Sequence, residues 1–595
     1  MVTRRLAAVV VCVACAALPS AASAHAQLEG TSPLRGAVVA TQPAQVMFRF
    51  DEPVEGNFGA VRVYDGSGER VDARDAFHPN RIGKEMAVHL EPRLKPGTYT
   101  ATYRVVSADG HIVSSGFAFS IGHSSATDQT VGALIAGSSS AVTATAFAAV
   151  RALEFAAIAV ALGLFSFVLL VWAPSLRLAS AARAWRDAAG AVLRRMRGLA
   201  FGSAAVGAVA AALAVVLEGA DAAGISGFSA LKPSVIDETL GTRFGTFWGL
   251  AVVAWLLAAG GAAAVLGVAE RRAWPALRVA ELGATGVAPT AAPRVAIALS
   301  AVPLAFLAVL PALGGHAGSQ DPTWVLVPAN VAHVLAMGTW TGGLVALVVA
   351  LPAGTRLLEP RARTRLLVGV LARFSAIALA SVLVLSVTGA IQGIVWVHTP
   401  AHLLDTAYGR AVLIKVVLLT TLVLLGALNR QRTLPRLASA ATRGEAPGRT
   451  GLVLRRALRG EVALIVVVLG VTGALSGYPP STTAASGPVS RTLALGPESL
   501  ELTVDPAQVG SNQIHLYLLD PRTGAQYDGA KEVTIAATQR DKQIGPIRET
   551  ARRAGPGHYI VPAAVLGVPG DWQLTILVRV SDFDQYQAKT EVPIR

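Results

Sequence analysis

Eight apolar stretches between residues 145 and 477, each long enough to cross a hydrocarbon core of about 30 Å, constrain this chain more than any other feature. They lie near residues 145–173, 198–217, 246–268, 295–313, 325–351, 372–391, 411–428 and 461–477. Lipid offers no hydrogen-bond partner to backbone N–H and C=O groups, so stretches of this length are expected to be helices. With 53% hydrophobic and 15% charged residues among 595, the chain reads as an integral membrane protein with polar sequence at both ends for flanking domains. The formal net charge of +14 would suit a nucleic-acid partner. The basic residues, however, gather in alternate loops: Arg177, Arg183, Arg186, Arg194, Arg195 and Arg197 after the first span, Arg271, Arg272 and Arg278 after the third, Arg356, Arg361, Arg363 and Arg365 after the fifth, and Arg430, Arg432, Arg436 and Arg443 after the seventh. Positive-inside topology accounts for that pattern, so the expected partner is a lipid bilayer and not nucleic acid.

The amino terminus reads as an export signal over residues 1–24. Arg4 and Arg5 supply the positive start, Leu6 to Leu18 an apolar run too short to span, and Ala22-Ser23-Ala24 the small-residue cleavage pattern. Cys12 and Cys15, the only cysteines, fall inside it, so a metal site in the mature chain must use His, Asp, Glu, Met or backbone donors. Cleavage after Ala24 makes His25 the first residue. An N-terminal histidine offers its amine and its imidazole Nδ1 to one ion as a chelate. An even span count then leaves both mature termini outside a plasma or inner membrane.

Residues 25–122 read as an all-β barrel or sandwich. Val46, Phe48 and Phe50 alternate with Met47 and Arg49, and residues 99–106 and 112–121 are strand-like between Pro and Gly turns. Asp109 and His111 are two apart, so on extended backbone both side chains leave the same face. With His25 they make a nitrogen-rich set with one anionic oxygen, which suits Cu(II).

Within this unit His25-Ala26-Gln27-Leu28, Ser32-Pro33, Phe50-Asp51-Glu52-Pro53-Val54, Pro96-Gly97-Thr98-Tyr99 and Ser107-Ala108-Asp109-Gly110-His111 resemble the CopC family of periplasmic copper-binding β-barrels. The resemblance implies that His25, Asp109 and His111 bind Cu(II), and makes copper the expected ion. Met47 and Met86 are the only methionines of the unit, so the methionine-rich Cu(I) site of some members has no counterpart. His78, His89 and His123 have no partner at a ligand spacing and read as surface residues.

Residues 123–144, rich in Ser, Ala, Gly and Thr, read as a flexible linker to the membrane domain at 145–480. Polar residues gather at one end of that domain: His316 and Asp321 between spans four and five, His333 with Met337 and Trp340 along span five, and His398, His402 and Asp405 before span seven. An ionisable group at membrane depth usually faces a cavity or pathway, which makes His333 a functional candidate. Arg151, Glu154 and Lys415 read as structural polar groups. Leu240-Gly241-Thr242-Arg243-Phe244-Gly245 and Leu404-Asp405-Thr406-Ala407-Tyr408-Gly409 form a weak repeat four spans apart. Gly315-His316-Ala317, His333, Trp340-Thr341-Gly342-Gly343-Leu344, Arg373-Phe374-Ser375, Thr388-Gly389, Tyr408-Gly409, Lys415, Asn429-Arg430 and Pro479-Pro480 resemble the CopD inner-membrane copper family. That resemblance implies copper passage, with His316 and His333 as the residues along it.

Residues 481–595 alternate again, with turns at Gly555-Pro556-Gly557 and Pro569-Gly570-Asp571, and read as a second β-sandwich, similar to YtkA-like domains. His515 and His558 read there as isolated structural histidines. Together the three parts suggest a copper-binding membrane transporter for uptake, homeostasis or resistance, not an enzyme, with copper carriers of the periplasm or extracellular space as further partners. A membrane haem or copper electron-transfer protein is the alternative class, and a copper-dependent oxidase a third. Adding one residue before His25 moves the amine off the imidazole chelate. It should weaken Cu(II) binding by about tenfold or more, roughly 1.4 kcal/mol, in a titration followed by paramagnetic resonance.

Overall fold

The computed structural model describes residues 26–594 apart from 27, 35–36, 57–58, 109, 111, 124–140, 177–182, 226, 283–290, 398, 479–488, 506 and 522–525. The signal segment, most of the linker, His25, Asp109, His111 and His398 therefore lie outside the described residues. The chain forms two units: Ser140–Ala220 with Ser226–Thr482, and His25–Ser139 with Asp221–Ile225 and Thr483–Arg595.

The N-terminal domain is a two-sheet β structure. Strands β1 (Leu28–Ser32), β3 (Gln45–Phe50) and β5 (Glu85–His89) form one sheet, in the order β1-β3-β5. Strands β2 (Val38–Val39), β4 (Val61–Tyr64), β6 (Gly97–Val106) and β7 (Ile112–Ile121) form the other, in the order β2-β7-β6-β4. Val46, Phe48 and Phe50 are fully buried while Arg49 is exposed, the two-residue period of a strand with one face on the core. Phe48 and Phe50 meet Tyr103 edge-on at 5.0 and 5.1 Å. Val106 pairs with Ile112, so residues 107–111 form the β6–β7 hairpin loop. There Gly110 has φ 82° and its N–H donates to Ser107 C=O at 2.9 Å. The backbone is turned at Gly110.

Among the described residues of the helical unit the long helices are α1 (Val142–Ser175), α2 (Arg183–Ala223), α3 (Arg243–Leu282), α4 (Ala291–Leu313), α5 (Thr323–Val345), α6 (Pro360–Val397), α7 (Ala407–Leu428) and α8 (Gly448–Leu475). Among the described residues seven are long and apolar enough to cross a membrane. The fourth expected span contributes only the shorter apolar segment Ser300–Leu313. Three helices loosen into π-type turns at Phe167–Trp172, Ala346–Ala350 and Asn429–Thr433, each two residues before a proline: Pro174, Pro352 and Pro435. Proline lacks the N–H that the helix needs and its ring crowds the carbonyl one turn earlier, and widening the preceding turn relieves both.

The weak sequence repeat has a matching local geometry. Thr242 and Thr406 each accept, through Oγ1, the N–H of the glycine three residues on, Gly245 at 3.0 Å and Gly409 at 2.9 Å. A side chain at Gly245 would overlap Thr239 C=O, and one at Gly409 would overlap His402 C=O. Each motif thus caps a helix and presses its first turn against the preceding short helix, Pro233–Leu240 or His402–Asp405.

Helix α1 meets α5 at glycines. A methyl group at Gly163 would collide with Gly338 C=O and Gly342 Cα, and one at Gly342 with Ala159 C=O. This is the small-xxx-small contact by which membrane helices bring their backbones together. Gly342→Leu should cost about 3 kcal/mol or more by overpacking, whereas Gly260→Leu, at a site with no atom within 4 Å, should be tolerated. Thermal unfolding and size-exclusion profiles in detergent would separate the two.

The C-terminal domain is a sandwich of β8 (Val489–Leu495), β9 (Glu498–Asp505), β10 (Gly510–Leu519), β13 (Arg552–Gly555) and β14 (His558–Leu566) on β11 (Glu532–Gln539), β12 (Ile544–Thr550), β15 (Gly570–Arg579) and β16 (Gln585–Ile594). Leu500, Leu502, Ile514, Leu516, Trp572, Leu574 and Ile576 fill its core.

Candidate functional site

Described residues on either side of the three expected N-terminal ligands converge on one short segment. Ala26 is buried in the core, and Leu28 pairs with Phe50. On the other side, Ala108 N–H donates to Glu52 Oε1 at 3.3 Å, and Glu55 and Val106 exchange backbone hydrogen bonds at 2.8 and 2.9 Å. The segment 50–55 therefore ties the start of the chain to the β6–β7 hairpin. That gives Phe50-Asp51-Glu52-Pro53-Val54 a structural role next to the expected site. His78 and His89 have local partners, Nδ1 of each lying 2.7 Å from Glu85 C=O and Asp75 Oδ2 respectively.

In the helical unit a column of polar contacts runs along α6. Thr388, Gln392 and Trp396 are four residues apart and so share one helix face over about 12 Å. Thr388 Oγ1 lies 2.9 Å from His333 Nδ1, Gln392 Oε1 accepts from Asn330 Nδ2 at 3.3 Å, and the Trp396 ring meets His316 edge-on at 6.0 Å. Tyr408 follows, edge-on to Trp396 at 6.5 Å. His316 and His333 are thus two stations of one column. Its other polar members, Asn330 and Gln392, are uncharged residues in apolar helices whose only sequence signal is a spacing of three or four from His333 and Thr388.

The hydrogen bonds fix the state of His333. Thr388 Oγ1 has one proton and lies 2.7 Å from Val384 C=O, to which it donates. Toward His333 it therefore accepts, so Nδ1 carries a proton, and in the neutral ring the lone pair is on Nε2. A histidine oriented by a hydrogen bond from one nitrogen, with the other bare, is the arrangement that metal ligation uses.

Other residues of the resembling pattern serve packing. Gly343 lies against the Phe374 ring, Arg430 Nη1 donates to Ser375 Oγ at 2.9 Å, and Asn429 Nδ2 donates to Glu461 Oε1 at 2.6 Å. Arg151 Nη1 donates to Ser476 C=O at 3.0 Å, and Glu154 accepts from Trp255 Nε1 at 2.8 Å. His402 directs Nδ1 at Val397 C=O, 2.9 Å away.

His515 and His558 are not isolated. Their rings lie at hydrogen-bond distance, Nδ1 of His515 to Nε2 of His558, at 3.1 Å in a buried setting. Sequence could not pair them, since 43 residues separate them and only the register of β10 with β14 brings them together. Burial, and secondarily the neighbouring His515, push His558 down to about 3. It stays neutral in the fold while the unfolded chain protonates near 6.5, so its contribution to stability is level above that pH and is lost as pH falls toward 3. Hydrogen exchange of β10 and β14 amides should show the opening equilibrium rising by up to about tenfold per pH unit below 6, after correction for intrinsic rates. A flat profile would exclude a neutral buried pair.

Comparison with known proteins matches residues 28–122 to the CopC domain and residues 368–475 to copper resistance protein D, CopD. The second match covers most of α6 with α7 and α8, and leaves His316 to Leu344 outside it. Over 96% of this chain and 95% of the relative, the sequence is 26% identical to copper transport protein CutJ of Bacillus subtilis. Protein YobA of Escherichia coli is 34% identical over 98 residues, 79% of its length and 16% of this chain. Among solved structures, CopC from Methylosinus trichosporium OB3b is 31% identical, covering 16% of this chain and 93% of its own, with a TM-score of 0.15.

Proposed function

We propose, from the premise that the chain belongs to the CopC family through residues 28–122, that it is a multi-pass copper transporter of the cell membrane serving uptake, homeostasis or resistance. The observation that carries this reading is His333, inside a candidate span and tied through Nδ1 to Thr388 of α6, so that Nε2 is the ring nitrogen left for a metal. The CopD match and the end-to-end similarity to a protein described as a copper transporter support it.

In this reading copper is the cargo. His25, through its amine and imidazole, and Asp109 and His111 from the β6–β7 hairpin capture Cu(II) outside the membrane. The domain's attachment to the membrane portion keeps the captured ion at high effective concentration near the mouth of the column. His316, beside Trp396, receives the ion, and His333 holds it one station deeper. Asn330 and Gln392 offer amide oxygens between them. The C-terminal sandwich acts as a YtkA-like module, and both mature termini lie outside.

His333→Ala should lower copper accumulation by about tenfold or more relative to the native chain, measured as metal content of cells or loaded vesicles. Thr388→Val removes the acceptor that fixes the tautomer and should fall between the two. Equal copper content in the native, His333→Ala and deletion strains would overturn the reading.

A further inference from the structure

The C-terminal domain brings its only two histidines into contact on the face of β10 opposite its core. On β10, Ile514, Leu516 and Leu518 enter the core, so Gln513, His515 and Tyr517 share the opposite face. That face is nevertheless buried: Gln513 is 2% exposed, His515 6%, Tyr517 7%, and His558, which pairs with Tyr517 from β14, 2%. The N-terminal domain meets this sheet, since Ser115 Oγ of β7 donates to Asp505 Oδ2 at 3.2 Å and Asp505 is the cross-strand partner of Gln513.

The ring geometry is specific. The planes of His515 and His558 differ by 15° and their centroids are 5.4 Å apart, with 3.1 Å between the facing nitrogens. The two nitrogens therefore lie nearly on the line joining the rings, lone-pair direction against lone-pair direction, with one proton between. Tyr517 stacks on His558 at 4.2 Å and holds that ring in plane. His558 Nδ1 and both polar atoms of the Gln513 amide are buried without a hydrogen-bond partner.

We propose that His515 and His558 form a second copper site, one that takes Cu(I) in line between the two imidazoles. The inference rests on the copper reading above for the identity of the ion. Three features select the monovalent ion. The donors are neutral, and an uncompensated divalent charge is far costlier to bury than a single one. Among the described residues no three His, Cys, Asp or Glu side chains cluster, so a metal needing three or four such ligands is not served. The opposed nitrogens already have the linear arrangement that a two-coordinate ion uses. With metal–nitrogen bonds of about 2 Å, replacing the proton by the ion requires the rings to part by about 1 Å. No cysteine or methionine follows Met337, so these imidazoles are the softest donors the domain has.

The test uses the full chain in detergent, titrated with Cu(I) under reducing, anaerobic conditions against a chromophoric Cu(I) chelator. The native protein should hold one more equivalent than His515→Asn/His558→Asn, while the Cu(II) paramagnetic signal of the N-terminal site is the same in both. Equal Cu(I) stoichiometry in the two proteins would overturn the site. Loss of the Cu(II) signal from native protein would instead count against the copper reading itself. A second measurement needs no histidine variant. X-ray absorption of the native chain extended by one residue before His25, loaded with one equivalent of Cu(I), should show a two-coordinate nitrogen environment. Three or four ligands, or sulfur, would refute the in-line pair.

Discussion

The close approach of α1 and α5 at Gly163, Gly338 and Gly342 is the contact on which the membrane column depends. Between helices in lipid no hydrophobic gain drives association, so direct backbone packing must supply it. Helix α5 is held on one side by those glycines and on the other by Gly343 against Phe374 of α6. His333 and Asn330 stand on the turns just before this double contact. Their partners Thr388 and Gln392 stand on α6 about four and five turns beyond Phe374. A shift of one helix against the other by a fraction of a turn would break the His333–Thr388 and Asn330–Gln392 hydrogen bonds in an apolar setting. The glycines thus set the register that lets polar groups exist there at all.

The same demand explains how the helices absorb their prolines. Each π-type turn gives up regular geometry over five or six residues, and each precedes its proline by the same interval. The turn at Asn429–Thr433 also presents Asn429 to Glu461 and Arg430 to Ser375, so a backbone irregularity positions side chains between helices. The two Thr-x-x-Gly caps act at the opposite ends of α3 and α7, where unsatisfied N–H groups must otherwise find partners.

Much of this was legible in the sequence wherever a period met a single environment. Val46, Phe48 and Phe50 declare a half-buried strand, and the apolar runs declare spans. The shared Leu, Thr, aromatic and Gly positions of the two repeat segments proved to be one capping geometry used twice. What sequence could not supply was anything that depends on register between distant segments. Asn330 with Gln392 and His515 with His558 are pairs of this kind, since nothing near either residue names its partner. Gly110, at φ 82°, lies in the turn between β6 and β7, while Asp109 and His111 on either side of it lie outside the described residues. Conversely, Trp340-Thr341-Gly342-Gly343 is conspicuous because of backbone contact and needs no ligand to explain it.

The donor sets also differ in charge in a way that matters for passage. On the proposed reading the N-terminal site adds a carboxylate to its nitrogen donors, whereas the described donors of the membrane column are imidazoles and amides, with no carboxylate in the contacts described. An anionic ligand at membrane depth would hold a divalent ion by strong Coulomb attraction in a low dielectric, and the ion would not leave. Neutral donors replace part of the hydration shell without creating such a trap. A path must bind well enough to admit the ion and weakly enough to release it. A column that offers imidazole and amide donors, with one histidine's proton held on the nitrogen turned toward Thr388, presents a lone pair to the ion without an anionic ligand to trap it.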